Sequence, residues 1–174
     1  GQNQYMMKFI ADHFRQDFQV VNLDLPGFGE SDEPKTVWSI GDYAKALHQL
    51  LEDLQITQPI LIAHSFGARN ALMFPVEKMI LTGAAGIKAK RGISYYVRVY
   101  SYKLLKKLHV STRMGSEDFQ NASLIMKGVL CSCVNEDIQD ELKNITCETL
   151  LVWGEYDTQT PLSMGKIMEE KIPN

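Results

Sequence analysis

No apolar run in this 174-residue chain approaches the ~18 consecutive residues that a membrane-spanning helix needs, so no stable membrane insertion is expected. The opening residues, GQNQYMMKF, contain neither the basic region nor the apolar stretch of a secretory leader. Cysteine is scarce and odd in number: Cys131, Cys133 and Cys147. Three thiols do not make a closed disulfide framework, and they suit a reducing, cytoplasmic location. Cys131-Ser132-Cys133 has no second Cys or His pair at ligand spacing, which argues against a structural metal. An excess of one charge is also missing, since a formal net charge of −3 gives no basis for a nucleic-acid partner. What is present, 45% hydrophobic and 22% charged residues, is the composition of one globular domain with a sizeable core.

The periodicity of the apolar residues alternates between two kinds. Tyr5, Met6, Phe9, Ile10 and Phe14 recur at helical spacing, predicting a helix that ends near Arg15. Residues 18–23 (FQVVNL) are short, β-branched and flanked by polar residues, which predicts a strand, and residues 24–31 (DLPGFGES) predict a loop. Ser39 with Asp42 three residues on is a helix N-cap signature, and the stripe Tyr43, Ala46, Leu47, Leu50, Leu51, Leu54 follows it. Residues 60–63 (ILIA) predict a strand buried on both faces, residues 66–74 a helix stopped by Pro75, and residues 78–82 (KMILT) a further strand. Residues 148–153 (ETLLVW) predict the last strand, and Pro161 opens a terminal helix reaching Ile172.

Strands alternating with helices predict an α/β fold with a mostly parallel, doubly wound sheet, its ligands bound outside the carboxyl ends of the strands. The crossover after residue 65 is short: about nine helical residues span roughly 13 Å, close to the minimum for joining parallel strands. Either the sheet is locally short there or the crossover lacks residues. Residues 87–144 show helical periodicity and no strand, so they are expected to form an inserted helical cap between core segments 1–86 and 145–174. Within it, Lys88, Lys90, Arg91, Arg98, Lys103, Lys106, Lys107 and Arg113 occur without an intervening acid and alternate with apolar and aromatic residues. Such a segment is read first as a helix with a solvated basic face, and otherwise as a contact surface for an acidic partner.

The chemistry concentrates at Ser65. It sits at the apex of a strand, sharp turn and helix, between the small residues Ala63 and Gly67. A turn that tight strains the backbone of its central residue, leaves little room for side chains two positions either side, and lifts the hydroxyl clear of the sheet. The amide N–H of Phe66, first in the helix, is placed to stabilise an oxyanion. Asp157 follows the last strand, in a loop at the same carboxyl edge, where a carboxylate can hold an imidazole in one tautomer. It can equally be an Asx-turn residue that only caps its loop.

Ala63-His64-Ser65-Phe66-Gly67 resembles the nucleophile elbow of the α/β-hydrolase family. Residues 24–31 resemble the family's D-x-P-G-x-G-x-S loop, and Trp153-Gly154-Glu155-Tyr156-Asp157 with Pro161 its acid loop. The resemblance implies a serine hydrolase of the capped type, with Ser65 as nucleophile, Asp157 as the orienting acid and Phe66 N–H as an oxyanion donor. It implies no metal or organic cofactor, and as partner a small-molecule substrate carrying an ester, amide or other acyl bond, carbon–carbon bonds included. It also implies a histidine after the acid, yet none follows Asp157. Of the four histidines present, His64 is expected to turn away from Ser65 into the core, His13 and His48 lie on predicted helices, and His109 falls in the cap. The catalytic histidine and an N-terminal strand segment are therefore expected outside these residues, and the 174 residues alone should be nearly inert. The alternative is a non-catalytic binding protein on the same scaffold, using the basic cap segment as its contact surface.

Overall fold

The computed structural model describes residues 3–73, 75–88 and 117–173. Most of the expected basic cap segment, with His109, lies outside the described residues. In chain order the elements are α1 (Gln4–Phe14), α2 (Ile40–Asp53), β1 (Ile60–His64), α3 (Phe66–Ala71), β2 (Lys78–Thr82), α4 (Glu117–Asn121), α5 (Leu124–Asn135), a 3₁₀ turn (Leu142–Asn144), β3 (Glu148–Val152) and α6 (Leu162–Lys171). No described helix is long and apolar enough to cross a membrane.

The fold is α/β, as expected. The described strands form one parallel sheet in the order β1-β2-β3, with Ile60 opposite Lys78 and Lys78 opposite Glu148. Pairing between β1 and β2 runs unbroken from Ile60↔Lys78 to His64↔Thr82, so the six-residue α3 is enough to complete the crossover. Side chains alternate across a strand, which puts Leu61, Ala63, Met79, Leu81, Thr149 and Leu151 on one face. There Ala63, Met79 and Leu81 join a buried cluster with Ile40 and Tyr43 of α2, Ala68 and Ala71 of α3, Met126, Val129 and Cys133 of α5, and Met168 of α6. Helix α5, within the span expected as a cap, thus shares one hydrophobic core with the sheet.

Several expectations need correction. Residues 18–23 form no strand; they run as irregular chain held partly by the Asn22 amide donating to Gln4 O at 3.0 Å. Among the described residues no strand stands beside them to complete a ladder. The run from Ile60 is not buried on both faces: Ile60 is 44% exposed, as are Leu150 (56%) and Val152 (47%) on the same side. Helix α1 forms where its periodicity predicts, but its apolar stripe faces outward, with Phe9 85% exposed. Helix α3 stops at Ala71, short of the expected residue 74.

The capping signature of α2 is realised in full. Asp42 N–H donates to Ser39 Oγ at 3.2 Å, and Ser39 N–H donates to Asp42 Oδ2 at 2.9 Å, satisfying two otherwise unpaired donors. This fixes where α2 begins and so the depth at which Tyr43 enters the core.

Candidate active site

Three parallel strands ending in register bring three loops to one edge. Ser65 leaves β1, residues 83–86 leave β2 and residues 153–161 leave β3. Backbone hydrogen bonds cross-tie them: Ser65 N–H donates to Thr82 O (3.1 Å), Ala85 N–H to Ser65 O (3.1 Å), and Gly83 N–H to Val152 O (3.0 Å).

Ser65 has φ 49° and ψ −112°, a left-handed conformation that an L-residue adopts only under constraint. The sharp turn expected at this position is present. The reason given for its small neighbours holds only in part. Ala63 is buried, but a Cβ built on Gly67 would meet nothing within 4 Å among the described residues outside its own helix backbone. Phe66 begins α3, so its N–H has no acceptor within the helix. Its ring packs against Phe28 (centroids 5.0 Å) and edge-on against Tyr43 (5.5 Å), which meets Trp38 at 5.1 Å.

Tyr43 is fully buried; burial raises its phenol pKa, and its hydroxyl donates to Pro26 O at 2.8 Å. The 24–31 loop is held from within as well. Asp24 accepts from Gln4 N–H (2.6 Å) and Glu30 N–H (3.1 Å), and Ser31 Oγ donates to Asp24 O (2.7 Å). A Cβ at Gly27 would collide with Met126, so α5 lies directly on this loop. The first turn of α3 therefore rests on an aromatic platform joined to the loop.

Asp157 occupies the expected edge. Its Oδ1 accepts from Gln159 N–H (2.8 Å) and Thr160 N–H (2.9 Å), so the Asx turn weighed as an alternative is formed. Its Oδ2 is left for the Thr160 hydroxyl at 2.9 Å. These bonds, above all the one from the Thr160 backbone, lower the Asp157 pKa and keep it a carboxylate. The carboxylate is thus both turn-maker and fixed anion.

The histidines are placed differently from expectation in one case. His64 does not enter the apolar core. It is half-buried, with Nδ1 2.8 Å from Thr82 Oγ1, its cross-strand neighbour, and its Cε1 edge turned to the slot beside Gly83 that Asp157 also faces. His13 and His48 are exposed on α1 and α2, and His48 pairs with Glu52 at 3.3 Å.

Sequence reasoning missed three residues here: His64, Thr160 and Arg69. For His64 a signal existed, since the last residues of adjacent parallel strands face each other. For the others none did. Arg69 is 5% exposed and seats its guanidinium on the carbonyls of Cys133 and Glu136 (2.7 Å for the second), binding the helix after Ser65 to the end of α5. Burial lowers its pKa.

A family model described as the α/β hydrolase fold matches residues 2–78. The hydrolase YugF of Bacillus subtilis, itself uncharacterized, is 25% identical over 98% of this chain and 74% of its own length. A 2-hydroxy-6-oxo-6-phenylhexa-2,4-dienoate hydrolase of Comamonas testosteroni is 26% identical over 85% of this chain and 64% of its own. Among solved structures, an esterase from Exiguobacterium antarcticum superposes with a TM-score of 0.73 at 22% identity, covering 98% of this chain and 76% of that one.

Proposed function

We propose that this chain, which has the α/β-hydrolase fold, is a member of that family and carries the core of a serine hydrolase that cleaves a small ester, amide or other acyl bond, carbon–carbon bonds included, through an acyl-enzyme. The observation that carries the reading is the strained backbone of Ser65 at the sheet edge where Asp157 is held as an anion. Relatives named as hydrolases, one of a dienoate, support the reaction class.

In this reading Ser65 Oγ attacks the carbonyl carbon while a histidine takes its proton, and the same histidine then returns that proton to the leaving group. Water releases the acyl group by the reverse sequence. Asp157 holds the histidine in one tautomer, and Phe66 N–H donates to the oxyanion. No described histidine is assigned as the base in this reading, because His64 is engaged with Thr82 and His13 and His48 sit exposed on helices. Substrate choice is proposed to fall to the segment 87–144 expected as a cap, most of whose basic stretch lies outside the described residues.

The test is labelling of the purified full-length protein by a fluorophosphonate probe, which forms a stable bond with an activated serine. One label, lost in Ser65→Ala, is the expected result. A folded protein that stays unlabelled would refute the reading and favour a non-catalytic binding role.

A further inference from the structure

Around Gly83, four polar side chains from three stretches of the chain converge: His64 from β1, Thr82 from β2, and Asp157 and Thr160 from the loop after β3. The point where a Cβ of Gly83 would sit is 3.2 Å from Asp157 Oδ2, 3.3 Å from Thr160 Oγ1 and 3.4 Å from His64 Cε1. The Asx turn accounts for Oδ1 of Asp157 but not for what happens at Oδ2.

Thr160 is 7% exposed, and its hydroxyl has one proton for two acceptors, Asp157 Oδ2 at 2.9 Å and Gly83 O at 3.0 Å. A buried hydroxyl in that place cannot be replaced by water without opening the loop. The same bonds pull the loop onto β2, a strand far from it in sequence. On the other side, His64 presents a ring whose rotation is set by Thr82, and its interaction with the carboxylate favours the ionised form. With Nδ1 on Thr82, His64 turns its Cε1 edge toward the same point beside Gly83 that Asp157 Oδ2 faces.

We propose that Thr160, His64 and Thr82 form a bracket that positions the Asp157 carboxylate at the sheet edge, Thr160 and His64 holding it from two sides while Thr82 orients the imidazole. These are positioning residues, acting through Asp157, and the assignment rests on the reading of Asp157 as the acid of the site.

The experiment is carboxyl-carbon NMR of Asp157 across acid pH, together with the Trp153 indole N–H resonance. That indole donates to Thr160 O at 2.6 Å and reports directly on the loop. The chain has two tryptophans, so Trp38→Phe assigns the signal. Thr160→Val should raise the Asp157 titration midpoint and move the indole resonance, and Thr160→Ser should restore both. His64→Phe should raise the Asp157 midpoint, His64→Gln should raise it less, and the exposed control His13→Phe should leave it in place. Thr160→Ala substitutes for Thr160→Val if the valine variant does not fold. An Asp157 signal indifferent to either Thr160 or His64 overturns the bracket. Because both signals are read without turnover, unlabelled Ser65 would refute the hydrolase reading and leave this result standing.

Discussion

Adding one methyl group at Gly83 tests the geometry of the edge most directly. Gly83 is buried at φ +47°, where an L-residue costs about 1–2 kcal/mol in backbone strain. The new Cβ would lie 3.2–3.4 Å from two oxygens and an imidazole carbon, so Asp157, Thr160 and His64 must give by a few tenths of an ångström. Crowding of this kind typically costs about 1–3 kcal/mol. The reduced freedom of the unfolded chain returns about 0.4–1 kcal/mol. Gly83→Ala should therefore destabilise by ~2.5 kcal/mol, which for a chain of this size lowers Tm by roughly 5–10 °C. Gly67→Ala is the matched control, a glycine two residues past Ser65 in α3 whose Cβ position is open among the described residues. Removing a helical glycine there should stabilise by about 0.5–1 kcal/mol. Denaturant unfolding of both variants, with the Trp153 indole as loop reporter, gives the comparison. If the two alanines shift stability in the same direction, or Gly83→Ala leaves the indole unmoved, the packing argued for this edge is wrong.

Ser39→Ala removes the side-chain half of the α2 capping box and should cost ~1 kcal/mol by denaturant unfolding. Arg69→Met deletes the donor to two carbonyls at the end of α5; Cys133 O keeps the Glu136 N–H, and the loss of the donor to Glu136 O should cost about 1–3 kcal/mol, visible as faster hydrogen exchange in α5 and α3. The Asp157 pKa is lowered in the folded protein, so its contribution to stability is complete above the unfolded value of ~3.9 and is lost as pH falls from there through the native value. Asp157→Asn should accordingly flatten the stability profile below about pH 4 and leave its slope above pH 6 unchanged, as read from unfolding midpoints in buffers across that range.

What the sequence made legible was whatever depends on near neighbours. The capping box at Ser39, the β2 strand from Lys78 and the loop position of Asp157 all follow from a few adjacent residues and appear where expected. The errors arise where a long-range partner decides. Residues 18–23 have strand composition, but a strand is defined by its ladder, and no described neighbour supplies one. The stripe of α1 is amphipathic in sequence, yet burial needs a surface to face, and Phe9 finds none among the described residues. The sharp turn predicts a His64 turned away from Ser65 into the core, whereas its actual company is set by Thr82 across the register and by a loop some ninety residues later. Nothing in the sequence around Thr160 or Arg69 marks either residue; only the fold reveals that each is buried and bonded to another segment.

Among the described residues, the two non-glycine positions at positive φ separate local from functional strain. Gln55 (φ 57°) directly follows the end of α2, and Ile56 N–H donates back to Leu51 O at 2.8 Å, the closing bond of a common helix C-terminus. That local motif is sufficient to explain it. Ser65 has no such motif. It follows a strand, its side chain makes no capping bond to α3, and its conformation is held by Thr82 O and Ala85 N–H from a different strand and loop. Strain of order 1–3 kcal/mol that no local motif requires persists only where the surrounding tertiary structure over-determines it. Here that structure is the same set of cross-ties that brings the Asp157 loop to the sheet edge. The constraint on Ser65 and the placement of the carboxylate are therefore one feature of the fold, and a substitution that loosens Gly83 should relax both together.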